Sequence, residues 1–512
     1  MRTREIRQDP TVSRPDTIDV LSRSRFDLLV VGGGIIGSAV AAHAARLGLS
    51  VALVDAGDFG GGTSSASSKL VHGGLRYLRL GDVRLVREAH HERRALTKIV
   101  APRLVHRIPF LLPLYEDGPY RPAVVQSAIL FYSALARSRL NWLVQPARAR
   151  ELVPSLRRER LRACALYADA WTNDARLCLA NVRAASEAGA YVLNRAEVVE
   201  LRKAGGRVVG AELRVDGELV SVEARTVVNA AGPWVDRIRG LENPAAGTSV
   251  LLTKGVHALV PAAGPWRAAL TIPQDQVRVS FAVPFYGMLL LGTTDTPHER
   301  EPSQVAVEPA DVEQVVSEAA VAVDPSLVAG ERVRATFAGL RVLPAEARES
   351  VSVRRETVIS WGSAGMLSVA GGKLTTYRRI ALGTLERLRP ELGIHVVDRR
   401  PWPLPGVGDA ASSPLPGELN PALRDHLLHL YGTLTTQVLE PARDDPTLLE
   451  PLHPEGPDIA AQALYAATHE WALRAEDVVR RRTTIFYRGL AGDDVTRRVE
   501  ELIGRAAVAA AR

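Results

Sequence analysis

A nearly unbroken apolar run, Phe26-Asp27-Leu28-Leu29-Val30-Val31, predicts a strand buried on both faces. Small residues from Ser38 to Leu47 follow with helical spacing and stop at Gly48, and Ser50 to Val54 form a second strand. Asp82 to Ile99 sets Val83, Val86, Ala89 and Leu96 along one side of a charged helix. Residues 102–150 are punctuated by Pro and Arg around Phe110-Leu111-Leu112-Pro113-Leu114-Tyr115. Ala123 to Ala136 is apolar on most faces, which fits either a core helix or one laid on a membrane surface or a subunit. A helix reaching Gly189 precedes short alternating strands across 191–224 and a strand from Thr226. Between 250 and 300 the period becomes two, through Val256, Ala258 and Val260, then Val277, Val279 and Phe281, then Met288 to Leu291. That alternation predicts an antiparallel sheet. A last strand over Leu367–Ala370 leads into an amphipathic helix to about Leu388. The proline-rich residues 401–418 read as a linker, and residues 419–512 as helical.

The first strand runs into Gly32-Gly33-Gly34-Ile35-Ile36-Gly37 and the second ends on Asp55. In a dinucleotide-binding βαβ unit each of these has a task. Gly32 permits the tight turn, Gly34 lets a pyrophosphate approach the backbone, and Gly37 lets helix and strand pack closely. The pyrophosphate would sit on the N–H groups of the helix start, and Asp55 would accept the ribose hydroxyls. Its charge argues against a 2′-phosphate. A plain strand–turn–helix with the same glycines is the alternative.

Composition narrows the partners. Hydrophobic residues at 46% and charged ones at 24% of 512 residues describe an ordinary globular chain with room for several domains. The net charge of +7 admits an anionic partner, whether nucleic acid, acidic lipid or a phosphorylated substrate, or reflects surface arginines alone. Two cysteines, Cys164 and Cys178, exclude a disulfide framework, and no metal-ligand cluster is present. Residues 1–25 carry Arg and Asp throughout, so a disordered or loosely docked arm is expected, not a secretory signal. No window of about eighteen apolar residues occurs, so any membrane contact is expected to be peripheral.

After Gly60–Thr63 comes Ser64-Ser65-Ala66-Ser67-Ser68-Lys69-Leu70-Val71-His72-Gly73-Gly74-Leu75-Arg76-Tyr77-Leu78. This run resembles the signature of FAD-dependent glycerol-3-phosphate dehydrogenases. Further stretches resemble the same family in the same order: Tyr167 to Leu177 (with Asn173 in place of an acid), Thr226 to Trp234, Lys254 to His257, and Gly292 to Asp295. Ala338 to Pro344, Arg354 to Glu356, Leu367 to Tyr377 and His469 to Thr483 continue the series. The resemblance implies an α/β (α+β) fold: a glutathione-reductase-like FAD-binding Rossmann domain, an antiparallel-sheet substrate domain and a C-terminal helical domain. The FAD-binding domain would span 26–400, in segments of about 26–100, 165–250 and 335–400. The substrate domain would be interleaved at about 101–164 and 251–334.

The family's reaction would be oxidation of sn-glycerol 3-phosphate to dihydroxyacetone phosphate, with electrons passed from FAD to a membrane quinone. The oxidase branch, which uses oxygen, shares most of the motifs. A homodimer in the cytoplasm, held peripherally on the inner face of the plasma membrane by anionic lipid, completes the implied picture. No RNA-binding motif supports a nucleic-acid partner. An amine or amino-acid oxidase of similar architecture would not need the Ser64–Leu78 run.

The chemistry itself asks for a base near C2 and for cations around a phosphate. His257 is the candidate base, expected to titrate near neutrality, or else a core histidine bonded to a backbone carbonyl. Arg76, Arg341, Arg355 and Lys373 lie in four distant segments beside the motifs and would grip substrate with Tyr77, unless they are surface charges. Arg341 and Lys373 are also catalytic candidates. Lys373, at a Gly-Gly turn before a helix, would oppose negative charge near the flavin N1, or be a solvated helix-start lysine. By family position Thr293 and Asp295 would line the site. The cofactor set would be Gly32, Gly34, Gly37, Asp55, Thr63, Ser64, Ser68, Lys69, Leu70, His72, Gly73, Gly74, Gly232, Gly372, Lys373, Leu374 and Thr375.

Overall fold

The computed structural model describes residues 13–74, 83–136, 142–276, 278–345, 357–409 and 419–510. Arg25–Val31 lies at the centre of a sheet ordered Thr357–Trp361, Leu367–Gly371, Glu218–Asn229, Arg25–Val31, Val51–Val54, Tyr191–Leu193. All neighbours in that row are parallel except the first pair. From Leu28 to Val31 the strand is apolar and buried because both its faces are covered. Leu28 and Val30 pack against the helices Ile35–Arg46, Asp174–Glu187 and Tyr377–Leu392. Leu29 and Val31 pack on the opposite face, beneath the hairpin Ala196–Ala204 and Arg207–Val215. Small residues at Ala39, Ala41, Ala42, Ala44 and Ala45, all buried, let Ile35–Arg46 lie close to its two helical neighbours.

The alternating region folds as expected into a second sheet. Its order is Thr296–Pro297, Val250–Pro261, Met288–Gly292, Val279–Phe285, Ala269–Pro273, Val105–Tyr115, Leu161–Thr172, Leu70–Val71. One face carries Ala258 and Val260 against Val315 and Ala319 of the helix Pro309–Ala320. The other carries Phe110, Leu112, Tyr167, Leu259 and Phe337 in a cluster with Val125, Ile129 and Tyr132 of the helix Pro122–Ala136 and with Tyr487.

Three expectations need correction. The arm expected across 1–25 contains a helix, Arg14–Arg23, capped by Ser13 and anchored through the fully buried Leu21. Its apolar contacts are too few to stand out in a charged sequence. The strand Ala335–Pro344, assigned to the cofactor domain, pairs along its whole length with Val250–Pro261 in the substrate sheet. Leu161–Thr172 and Leu70–Val71 belong there too, paired as Leu70 with Trp171 and Val71 with Ala170. Period two reports a buried face but not which sheet will supply the neighbouring strand.

The C-terminal unit has its own core, with Leu427, Val438, Ala461, Val478, Ile485 and Val499 among its buried residues. Ion pairs dock it to the first sheet: Arg481 and Arg482 on Asp58, Arg176 on Glu470 at 2.7 Å, and Arg195 on Asp477 at 2.7 Å. Of the expected linker, residues 410–418 lie outside the described residues. Among the described residues no helix is long and apolar enough to cross a membrane.

Candidate active site

The carboxyl ends of the central strands open into a cleft of about 1480 Å³ that continues between the two sheets. Its first wall is the glycine turn. A Cβ at Gly32 would meet the Ala230 carbonyl oxygen at 2.5 Å, and one at Gly37 would meet the Gly32 oxygen at 1.9 Å. Both glycines are therefore demanded by backbone approach inside the fold. Gly34 differs, since a Cβ there meets only the Ser64 side chain, at 3.0 Å, on the cleft side. Asp55 sits at the end of its strand and accepts from the Gly33 amide at 2.6 Å and the Gly57 amide at 2.7 Å. Burial, partly offset by those two amides, pushes its carboxyl up to about 6.

The signature run forms the second wall and is pinned at several points. Ser64 Oγ accepts from the Ile35 amide at 2.9 Å. Asp174 accepts from the Ser67 amide and hydroxyl. Thr375 Oγ1 accepts from the His72 amide at 3.0 Å and donates to the His72 carbonyl at 3.2 Å. The Gly73 amide donates to Asp169 at 2.9 Å.

The substrate sheet supplies the third wall. His257 is buried, with its ring stacked on Phe337 at 4.8 Å and Nε2 3.0 Å from the Ser68 hydroxyl. Burial first, then Arg341 and Lys69, hold it well below the ordinary histidine range. The expectation of a histidine titrating near neutrality is therefore corrected: His257 is a neutral imidazole. Arg341 donates through Nη1 to Asp295 at 2.9 Å, and through Nη2 to Thr293 Oγ1 at 3.0 Å and the Thr294 carbonyl at 2.8 Å. Gly255 makes room for this group, because a Cβ there would meet Arg341 Nη2 at 2.6 Å.

The expected residues divide accordingly. Gly32, Gly34, Asp55, Thr63, Ser64, Ser68, Leu70, His72, Gly74, Gly232, Gly372, Lys373 and Leu374 line the cleft, together with His257, Thr293, Asp295 and Arg341. Gly37, Gly73 and Thr375 stand behind it as packing and pinning groups. Lys69 is a correction: its side chain is fully buried and bonded to Asp174, the Ser65 carbonyl and Tyr487, away from the cleft. Burial lowers its pKa, but Asp174 and Tyr487 outweigh that and keep the ammonium charged. Arg76, Tyr77 and Arg355 lie outside the described residues.

Asp169, within the Tyr167–Leu177 stretch, carries a role that the sequence does not announce. Asp169 is a buried carboxyl in the cleft wall, paired with Arg93 and held above its ordinary range by burial. Arg195, Trp234, Thr271 and Arg481 also line the cleft and were missed. The cleft fits a flavin dinucleotide on this geometry. It is large enough, Gly34 leaves the helix start open, and Asp55 ends the second strand.

Residues 27–378 match the family model of FAD dependent oxidoreductases, and residues 382–508 that of the C-terminal domain of alpha-glycerophosphate oxidase. The chain is 33% identical over 502 residues to glycerol-3-phosphate dehydrogenase 2 of Mycobacterium tuberculosis strain H37Rv, covering 94% of this chain and 85% of the relative. It is 36% identical over 490 residues to D-erythritol 1-phosphate dehydrogenase of Brucella abortus, covering 89% and 94%. The crystal structure of glycerol-3-phosphate dehydrogenase from Bacillus halodurans, complexed with FAD, is similar with a TM-score of 0.77. That match is 26% identical and covers 96% of this chain and 97% of the other. The cofactor is FAD, and the chain belongs to the FAD-dependent glycerol-3-phosphate dehydrogenase family.

Proposed function

We propose that this protein oxidises sn-glycerol 3-phosphate at C2 to dihydroxyacetone phosphate and passes the electrons to a membrane quinone. The observation that carries the reading is the guanidinium of Arg341, fixed by Asp295, Thr293 and Thr294 in the same cleft as His257 and Lys373. When bound, FAD supplies the hydride acceptor. Arg341 contributes a fixed positive charge to hold the phosphate, with Nη2 already given to Thr293 and Thr294 and one Nη1 hydrogen to Asp295. His257, neutral before substrate enters, takes the C2 hydroxyl proton at Nε2, where the Ser68 hydroxyl lies within 3.0 Å. An anionic phosphate beside Arg341 offsets one of the charges that depress His257, so substrate binding itself strengthens the base. Lys373, at the head of the Leu374–Thr376 turn, would hold positive charge where the reduced ring gathers negative charge.

The acceptor reading draws on the mouth of the cleft. Tyr120, Arg121, Val124 and Phe131 line it, and the helix Pro122–Ala136 exposes Val124 at 66%, Leu130 at 56% and Phe131 at 49%. An apolar face beside a cationic residue suits the surface of an anionic bilayer on the cytoplasmic side. A homodimer belongs to the same reading and is checked by sedimentation.

Steady-state turnover of glycerol 3-phosphate with a ubiquinone or menaquinone analogue, against oxygen, tests the assignment. Turnover with oxygen alone would replace the dehydrogenase reading with an oxidase. The likeness to an erythritol-phosphate enzyme supports a second reading, a four-carbon polyol phosphate as substrate. Comparing kcat/KM for glycerol 3-phosphate and D-erythritol 1-phosphate separates the two.

A further inference from the structure

The reaction leaves the C-terminal helical domain without a task, yet Glu476 and Arg481 of that domain stand in the cleft wall. Arg481 pairs with Asp58 near Asp55, at the end built by the exits of the strands Val51–Val54 and Tyr191–Leu193. This is where the ribose-binding acid sits, so it is the adenosine end of a dinucleotide site.

The contacts there form a closed circuit. Arg481 pairs through Nε with Asp58 and through Nη2 with Asp477 at 2.8 Å. Asp477 also accepts from Arg195 Nη2 at 2.7 Å. The backbone of Arg195 and Ala196 donates to the carbonyls of Gly57 and Asp55, both at 2.8 Å. A second contact runs to the glycine turn. Trp471 packs edge-on against the buried Phe59 at 5.6 Å, and Phe59 fills the space beside Gly33, where a Cβ would meet its ring at 2.3 Å. The C-terminal domain thus braces both backbone stretches that a dinucleotide's adenosine half requires.

We propose that the C-terminal domain is a clasp over the adenosine half of FAD, closed by Arg481, and that it sets how fast the cofactor escapes. The proposal rests on the FAD assignment and is independent of the substrate. Arg481 is the informative position because Asp58 keeps other partners without it: Arg482 Nη2 at 2.8 Å and Asn194 Nδ2 at 3.3 Å. The domain therefore stays docked when Arg481 is replaced.

The test is FAD release from the holoprotein after dilution, followed by the rise in flavin fluorescence, for wild type, Arg481→Met and Arg481→Lys. Circular dichroism and the melting temperatures of apo and holo forms accompany it. The expected result is release faster by about tenfold or more in Arg481→Met and by an intermediate factor in Arg481→Lys. The gap between holo and apo melting temperatures should narrow in the same order. A folded Arg481→Met protein that releases FAD at the wild-type rate overturns the proposal. So does an equal fall of apo and holo melting temperatures with release unchanged, the mark of a purely structural contact. Should Arg481→Met not fold, Arg481→Lys decides by the same criterion. Wild type purified without any FAD removes the cofactor assignment, and the clasp with it.

Discussion

Arg341 reaches across the strand Val250–Pro261 to Asp295, with Nη1 2.9 Å from Oδ1, while its second terminal nitrogen is shared between Thr293 and the Thr294 carbonyl. The guanidinium is therefore set in place before any substrate arrives, and little side-chain entropy is lost when it takes an anion. A hydrogen bond to a charged group contributes roughly 1.5–3 kcal/mol, so Arg341→Ala should lower kcat/KM for glycerol 3-phosphate by about one to two orders of magnitude. Arg341→Lys should also be costly, because an ammonium cannot reproduce the planar contacts with Asp295, Thr293 and Thr294 that fix the charge in place. Glycerol is the control: weak turnover of glycerol, which has no phosphate, should survive both changes. Wild-type kcat/KM in Arg341→Ala would remove the phosphate site.

His257 should behave differently. Its Nε2 faces Ser68, and the proton it would take comes from the C2 hydroxyl, which glycerol carries as well. His257→Asn should therefore lower turnover of glycerol 3-phosphate and glycerol together, by about 10²-fold or more, with FAD content unchanged. A variant that loses only the phosphorylated substrate would make His257 a binding group and not the base.

The two glycines at the helix start should separate cleanly. Gly34→Val places its branches on the cleft side, against the Ser64 side chain, so the protein should fold but purify colourless. Gly37→Val drives a side chain into the Gly32 carbonyl, 1.9 Å from the Cβ position, so it should fail to fold or lose several kcal/mol of stability. A yellow Gly34→Val protein with normal FAD content contradicts the cofactor geometry.

Asp55 predicts opposite pH trends for the loaded and empty protein. Its carboxyl is pushed by burial up to about 6 from an ordinary 3.8. Only the ionised form accepts both ribose hydroxyls, so FAD affinity should weaken as pH falls through about 6. In the apoprotein a raised pKa means the folded state binds the proton more tightly. This group then adds stability as pH falls from above 6 toward 4, and removes it as pH rises again. Fluorescence titrations of FAD and melting curves of apoprotein between pH 5 and 8, each compared with Asp55→Asn, isolate the contribution. Parallel trends in wild type and Asp55→Asn would assign the pH dependence elsewhere.

The Lys69–Asp174 pair is fully buried, and Asp174 also holds the Ser67 amide and hydroxyl. Lys69→Met leaves that carboxylate without its cation in the interior, at a cost of about 3–5 kcal/mol. Chemical denaturation should show the loss, with flavin content falling in parallel as the Ser64–His72 wall loosens. A stable Lys69→Met protein with full FAD content would show that Asp174 is neutralised by other means.

What the sequence determined by itself was local and periodic. Gly32 to Gly37 and Asp55 were legible as a βαβ unit because strand, turn, helix and acid are contiguous, and Gly37 answers a clash with the Gly32 carbonyl inside the same turn. The alternation across 250–300 likewise announced an antiparallel sheet, since side chains on one strand must alternate between core and outside whatever the partner. Tertiary structure alone decided what depends on distant neighbours. Ala335–Pro344 joins the substrate sheet because Val250–Pro261 offers it a ten-residue register. Lys69 turns inward because Asp174 waits there, and a lysine in a serine-rich loop carries no mark of that partner. Arg481 meets Asp58 from 423 positions away, and nothing in a run of arginines distinguishes a buried clamp from a solvated helix face. Periodicity encodes which side of an element is buried; the identity of the group buried against it is set only when the chain closes on itself.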